Sequence, residues 1–83
     1  MTPTVRLYER PDCHLCAEAL AELEAMLAGG ASFTLERVDI ETDDALLREM
    51  LERIPVIELN GERVSELWLD ADGLRARLAT VSA

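Results

Sequence analysis

Apolar and polar positions change their period several times along the chain, and each change predicts a new element. Residues 5–8 are a short run of strand-favouring side chains, and residues 10–12, which include a proline, interrupt it. The next leucines recur with the period of an amphipathic helix, which the pair Gly29-Gly30 ends. These positions are Leu15, Leu20, Leu23 and Leu27.

A second strand and a second helix follow. Residues 33–40 alternate imperfectly between apolar and polar, which favours a strand covered on both faces in a parallel sheet. Residues 42–44 then supply the capping side chains of a helix that ends before Ile54-Pro55. Its apolar stripe consists of Leu46, Leu47, Met50 and Leu51.

The last third of the chain carries a hairpin signal. Asn60-Gly61 lies between the apolar run 56–59 and a second strand through 63–65, and this dipeptide is typical of a two-residue turn that makes its strands antiparallel. Asp70 or Asp72 is then placed to cap a final helix. That helix carries Leu74, Leu78 and Val81 on one side and Arg75 and Arg77 outside.

These elements predict an α/β fold in the order β-α-β-α-β-β-α, as one domain over residues 1–83. A right-handed crossover makes the first two strands parallel, and the terminal hairpin completes a four-stranded mixed sheet with helices on both faces. Open α/β sheets generally bind their ligands at the carboxyl ends of the strands. Cys13 follows the first strand and therefore lies at such an end.

Composition narrows the possible partners. The chain has 83 residues, and its 17 acidic side chains outweigh eight basic ones, all arginine, so its net charge of −9 disfavours nucleic acid. No apolar run approaches the ~18 residues of a membrane-spanning helix, and residues 1–4 lack the features of a signal peptide. We therefore expect a cytoplasmic monomer without a membrane or nucleic-acid partner.

The candidate chemistry lies in Cys13-His14-Leu15-Cys16, which contains both cysteines of the chain. Free N–H groups at a helix start favour a thiolate on the first cysteine, so Cys13 is the predicted nucleophile and Cys16 the resolving thiol. Arg10 and protonated His14 lower the pKa of Cys13, whereas neighbouring acids raise it. We therefore expect a pKa moderately below that of a free cysteine.

The motif and its surroundings resemble a known family. With Cys13-x-x-Cys16 after the first strand, Ile54-Pro55-Val56 before the third and Asn60-Gly61 in the hairpin, the chain resembles the glutaredoxin-like branch of the thioredoxin superfamily. It is most similar to small bacterial glutaredoxin-like proteins with a Cys-His-Leu-Cys active site. The resemblance implies a thioredoxin-like, glutaredoxin-type fold and thiol-disulfide oxidoreductase activity. It also implies a cis Ile54–Pro55 bond, with both residues binding the substrate.

One segment departs from the glutaredoxin pattern. Where glutaredoxins have two glycines that help to hold glutathione, this chain has Ser65-Glu66. Glu66 adds a negative charge where an anionic tripeptide would approach, which disfavours glutathione as a co-substrate. We expect no bound cofactor, a protein or small-molecule disulfide as substrate, and either thioredoxin reductase or glutathione as the reductant system.

Two other interpretations remain open at this point. A CxxC pair also provides ligands for zinc or an iron–sulfur cluster, but two cysteines and one histidine are too few unless a dimer or external thiols complete the site. Alternatively, the chain is a non-catalytic interaction module whose cysteines are buried or form an idle disulfide. Tyr8 and Trp68 are each predicted to pack in the core rather than to act in a site.

Overall fold

The order of helices and strands in the computed structural model, which describes residues 2–81, is the one that the sequence predicts. A short 3-10 turn, Ile40–Thr42, is the one addition within the described part of the chain. The elements are β1 (Thr4–Glu9), α1 (His14–Ala28), β2 (Thr34–Asp39), α2 (Asp44–Met50), β3 (Val56–Leu59), β4 (Glu62–Glu66) and α3 (Ala71–Val81). No helix within residues 2–81 is long and apolar enough to cross a membrane.

The four strands form one mixed sheet in the order β2-β1-β3-β4. β1 is parallel to β2 and antiparallel to β3, and β3 is antiparallel to β4. Asn60 and Gly61 both have positive φ angles, 51° and 86°, as the predicted two-residue hairpin turn requires. The Asn60 side chain also accepts a hydrogen bond from the Thr4 N–H at 2.9 Å, which ties the hairpin to the start of β1.

The two faces of the sheet carry two apolar clusters because side chains alternate along each strand. Leu7 pairs with Ile57 on one face, and Tyr8 pairs with Val56 on the other. The first cluster lies among β1, β3, α1 and α3, and its buried members are Val5, Leu7, Ala19, Leu23, Met26, Phe33, Ile57, Leu59, Leu69, Leu74 and Leu78. The second contains Tyr8, Cys16, Ile40, Met50, Ile54 and Val56.

The prediction that β2 is covered on both faces is wrong. β2 is an edge strand, and Thr34, Glu36 and Arg37 are exposed. Its one neighbouring strand, β1, holds Glu36, since Arg6 of β1 donates two hydrogen bonds to it at 2.9 and 3.0 Å. The irregular alternation of apolar residues in this segment therefore reflects an exposed edge.

Some predicted core positions are also wrong. Leu15 is 48% exposed and Trp68 is 63% exposed. The buried positions of α1 are Cys16, Ala19, Leu23 and Met26. Because α1 buries the face that carries Cys16, the adjacent Leu15 is turned by about 100° toward solvent. Leu51 and Val81 are exposed as well, each at the end of its predicted apolar stripe.

The helix caps follow the predicted side chains. The Asp43 carboxylate accepts hydrogen bonds from the Ala45 and Leu46 N–H groups at 2.8 and 3.2 Å, so Asp43 is the N-cap of α2. Before α3, the Asp70 carboxylate accepts from the Gly73 N–H at 3.0 Å. Asp70 is therefore the capping residue, and Asp72 is left in solvent.

Candidate functional site

Cys13 lies at the end of the turn that connects β1 to α1. A turn after Glu9 brings Asp12 into the left-handed region, with φ of 60°, and Cys13 follows as the N-cap of α1. The Cys13 Sγ accepts a hydrogen bond from the Cys16 N–H at 3.2 Å, and the Cys13 carbonyl accepts the Ala17 N–H at 3.0 Å. The sulfur therefore accepts the Cys16 N–H, one of the helix-start N–H groups that have no partner within the helix.

Cys13 and Cys16 form a disulfide, with their Cα atoms 5.2 Å apart. Cys16 is 1% exposed and belongs to the second apolar cluster, whereas Cys13 is half-buried. Of the two cysteines, only Cys13 therefore presents a surface to an incoming molecule.

One cavity opens beside Cys13 toward the segment before β3. It measures about 500 Å³, and we call it the Ile54 cavity; its walls are Arg10, Pro11, Asp12, Cys13, Glu41, Leu51 and Ile54. The Ile54–Pro55 bond is cis, which confirms that expectation from the family resemblance. The structure thus brings Ile54 to the same cavity as Cys13, while Pro55 is fully buried next to it.

The segment after β4 adjoins the same proline. Leu67 has a positive φ of 68°, and its N–H donates to the carbonyls of Arg53 and Pro55, both at 2.9 Å. The Leu67 and Trp68 side chains are exposed. Ser65, at one of the two positions where glutaredoxins have glycine, accepts the Asp70 N–H at 3.2 Å through its hydroxyl. This segment therefore carries side chains where the family pattern leaves room.

A second, larger cavity lies on the other side of Cys13. It measures about 770 Å³, and we call it the Arg37 cavity; its walls are Glu9, Arg10, Pro11, Asp12, Cys13, His14, Cys16, Ala17, Leu20, Arg37 and Asp39. The buried Glu9 carboxylate accepts two hydrogen bonds from Arg37, at 2.7 and 3.3 Å. These hydrogen bonds and the Glu9 charge raise the pKa of the Arg37 guanidinium.

Arg10 and His14, the two residues predicted to favour the Cys13 thiolate, have different surroundings. Arg10 borders both cavities, and its Nη2 lies 2.9 Å from a Glu41 carboxylate oxygen. His14 borders the Arg37 cavity, but its side chain is 86% exposed and its Nε2 lies 3.3 Å from Glu18. The structure therefore brings Arg10 together with Cys13 inside the site and leaves most of the His14 ring in solvent.

Sequence reasoning missed several residues of the site. Glu41 and Leu51 line the Ile54 cavity, and Arg53 contacts the segment after β4 through its carbonyl. None of them is near the CxxC motif in the sequence, so no local pattern marks them. Only the packing of α2 and its flanking turns against the end of β1 brings them there.

Glu66 is held by two arginines. Its carboxylate lies 2.6 Å from Arg63 and 3.8 Å from Arg53. Its side chain is 36% exposed, so the negative charge stays at the surface beside the cis-proline segment. As for metal ligands, no group of three or more His, Cys, Asp or Glu side chains within residues 2–81 is close enough to hold an ion.

Comparison with known proteins places these features in context. The family model "Glutaredoxin-like domain (DUF836)" matches residues 4–79. Protein Ne2328 from Nitrosomonas europaea has a solution structure that is similar with a TM-score of 0.78 and 29% identity, over 93% of this chain and 92% of that one. No curated protein matches this chain.

Two crystal structures are also similar to this chain. Target protein XcR50 from X. campestris has 36% identity and a TM-score of 0.67, over 92% of this chain and 96% of its own. Protein SA0789 from Staphylococcus aureus, described as of unknown function, has a TM-score of 0.72 over 96% of this chain and 91% of its own. Its identity is 18%, so this likeness supports the fold alone.

Proposed function

We propose that this chain, which belongs to the glutaredoxin-like domain family DUF836, is a thiol-disulfide oxidoreductase that uses Cys13 and Cys16. The observation that carries the proposal is the asymmetric burial of the two cysteines at a helix start. Cys13 is the N-cap of α1 and is half-buried, while Cys16 is 1% exposed. One thiol can therefore meet a substrate, and the other is held where only Cys13 can reach it.

The reduced protein begins the cycle with a thiolate on Cys13. The Cys16 N–H donates to this sulfur at 3.2 Å, and the positive end of the α1 dipole favours a negative charge there. Arg10 lines both cavities beside Cys13 and acts in the same direction, although Glu41 offsets part of its charge. The thiolate is the form of cysteine that attacks a disulfide.

Two exchange steps then reduce the substrate. The Cys13 thiolate attacks one substrate sulfur, so a Cys13–substrate disulfide forms, the substrate S–S bond breaks, and the released thiolate takes a proton from water. Cys16 next gives its proton to water and attacks the Cys13 sulfur, which releases the second substrate thiol in the same way. The substrate has then gained two electrons and the protein has lost two, as the Cys13–Cys16 disulfide. An external dithiol or reductase supplies two electrons and restores both thiols.

Ile54 and Pro55 are the proposed substrate-binding residues. Ile54 shares a cavity with Cys13, and the carbonyl groups of Arg53 and Pro55 on either side of it are occupied by the Leu67 N–H. The Ile54 N–H donates to the Met50 carbonyl at 3.0 Å, so the Ile54 carbonyl is the proposed main-chain contact for a chain bonded to Cys13. Extended backbone next to a cysteine can be recognised through main-chain hydrogen bonds whatever its side chains are.

Of the two candidate reductants, thioredoxin reductase and glutathione, we propose thioredoxin reductase, and the proposed setting is cell redox homeostasis in the cytoplasm. Support for a reductase over glutathione comes from Ser65 and Glu66, which fill the segment that holds glutathione in glutaredoxins. Glu66 also binds Arg53 and Arg63, so those cations are occupied.

A coupled assay tests the proposed activity and its electron source. Reduction of 2-hydroxyethyl disulfide is followed as NADPH consumption, with thioredoxin reductase in one reaction and with glutathione plus glutathione reductase in another. We expect turnover with thioredoxin reductase and a rate close to the protein-free control with glutathione. Equal turnover with both donors would contradict the proposed electron source. No acceleration with either donor, or with dithiothreitol as reductant, would contradict the activity.

A further inference from the structure

The arginines around the candidate redox site are already bound by carboxylates. Arg10 lies 2.9 Å from Glu41 in the wall of the Ile54 cavity. At the end of β4, where Glu66 pairs with Val56 next to the cis-proline, Arg53 lies 3.8 Å from Glu66, which also holds Arg63 at 2.6 Å. A substrate carboxylate that approached Cys13 from this side would have to displace a glutamate before it met a cation.

The charges that line each cavity also leave an excess of acid. The Ile54 cavity has one arginine, Arg10, against Asp12 and Glu41. The Arg37 cavity has two arginines and three acids among its walls, and its histidine is counted as neutral. Each cavity therefore carries a formal charge of −1, in a chain whose total is −9. A net negative charge in a cleft favours the approach of cations and disfavours that of anions.

We propose that Glu41 and Glu66 are specificity-determining residues that exclude anionic disulfides from Cys13. The substrate class that the site accepts is then a disulfide in a neutral or cationic setting, such as a cystine flanked by lysine or arginine in a polypeptide. This inference rests on the proposed oxidoreductase activity and adds the charge of its substrate. Oxidised glutathione, whose four carboxylates outnumber its two ammonium groups, belongs to the excluded class.

The exclusion does not depend on how strongly the ion pairs stabilise the fold. The Glu41 and Glu66 side chains are 39% and 36% exposed, and such partly exposed pairs add little to folding stability. Their effect is to cancel two positive charges that would otherwise attract a carboxylate. Replacing either glutamate by glutamine should therefore leave the fold intact; it removes the carboxylate partner of Arg10 in one case and the carboxylate shared by Arg53 and Arg63 in the other.

The experiment compares three symmetrical small disulfides of different charge. They are the dication cystamine, neutral 2-hydroxyethyl disulfide and the dianion dithiodipropionate. The reduced Cys16→Ser variant is used, so that the Cys13 thiolate forms one mixed disulfide, one substrate thiolate is released, and the reaction stops there. Mass spectrometry of quenched samples gives the rate constant. Each value is divided by that of 2-mercaptoethanol with the same disulfide, which removes the effect of the leaving thiol's own acidity.

We expect the corrected rate constants to fall from the dication to the neutral disulfide to the dianion, by about tenfold across the series at low salt. The series should converge as salt is added, because the screening length falls from about 30 Å at 0.01 M to about 3 Å at 1 M ionic strength. Equal corrected rates for the three disulfides, or a preference for the dianion, would overturn the inference while leaving the proposed activity in place.

Charge variants identify the residues responsible. Glu41→Gln and Glu66→Gln, each in the Cys16→Ser background, should raise the ratio of dianion to neutral rate by about threefold to fivefold, which is the effect of one unit charge at contact distance in water. This ratio is unaffected by any change in the amount of Cys13 thiolate. Unchanged ratios would overturn the assignment of these residues. Failure of Cys13 to react with any of the three disulfides would instead refute the proposed activity and this inference together.

Glu62→Gln is the matched control for the charge variants. It removes the same charge from a glutamate that is also paired with an arginine, since Glu62 lies 3.8 Å from Arg77. Glu62 begins β4 at the hairpin end of the sheet, which is tied to Thr4 at the start of β1, whereas Cys13 follows the other end of β1. Its ratio should stay within about twofold of the unmodified background, as expected for a distant exposed charge.

Discussion

Replacing Cys13 with serine is expected to abolish disulfide reduction, with a loss of turnover on the order of 10³ or more, as for removal of other catalytic nucleophiles. A serine hydroxyl does not ionise at neutral pH, so it cannot form the mixed disulfide that starts the cycle. Cys16 does not replace the lost thiol, because it lies on the buried face of the first turn of α1 and is 1% exposed. NADPH-coupled reduction of 2-hydroxyethyl disulfide measures the loss.

Two controls separate this effect from misfolding. Cys13 is half-buried and its sulfur accepts one backbone hydrogen bond, which a serine oxygen can also accept, so Cys13→Ser should keep the helical circular dichroism spectrum of the reduced protein. The Cys16→Ser variant should still consume one equivalent of disulfide, because its Cys13 thiolate is intact. Turnover by Cys13→Ser at a rate near that of the unaltered protein would contradict the assignment of Cys13 as nucleophile.

Leu23→Ala is expected to lower the free energy of unfolding by about 3 kcal/mol. Leu23 is 0% exposed and lies in the apolar cluster between α1 and the sheet, together with Leu7 and Ile57. Alanine removes the side-chain contacts and leaves a void that close-packed neighbours fill only partly. Urea unfolding of the oxidised protein, followed by circular dichroism, gives the change in free energy.

Leu15→Ala is the matched control on the same helix. Leu15 is 48% exposed and belongs to neither apolar cluster, so this variant should lose less than about 0.5 kcal/mol. Both variants remove the same atoms from α1, and both are measured with the disulfide formed. Similar losses for Leu15→Ala and Leu23→Ala would contradict the orientation of α1 described above.

The elements that sequence predicts well are those with local causes. Asn60-Gly61 supplies the two positive φ angles of the hairpin turn, and that turn sets β3 against β4. Asp43 and Asp70 satisfy helix-start N–H groups a few residues away. The position of Cys13 at the end of β1 likewise follows from the break after the first strand and the helix that begins at His14.

The features that sequence predicts poorly depend on contacts between distant segments. Whether β2 is central or at the edge is decided by where β3 pairs, and nothing within residues 33–40 records that choice. Leucine spacing alone does not fix the rotation of α1, since Leu15 fits the helical period but Cys16 and Ala19 take the buried face. The small residues Cys16 and Ala19 therefore occupy buried positions that the leucine pattern does not predict.

The same limit applies to the site. The pairing of Cys13 with Cys16 is predictable from their spacing, and the cis Ile54–Pro55 bond is predictable from the family resemblance, because each feature is marked by its own residues. The acidic partners of the nearby arginines are not, because Glu41 and Arg10 come from different turns of the chain. In a chain with 17 acidic residues, sequence cannot tell which carboxylate meets which arginine.

The most direct measurement of the central claim is capture of a substrate on Cys13. The reduced Cys16→Ser variant is incubated with a disulfide-bonded protein such as insulin, quenched by alkylation, digested without reductant and analysed by mass spectrometry. We expect a mixed disulfide between the peptide that carries Cys13 and a cysteine of the substrate, and dithiothreitol should release it. Absence of this adduct at a level above that of the Cys13→Ser variant would contradict the account.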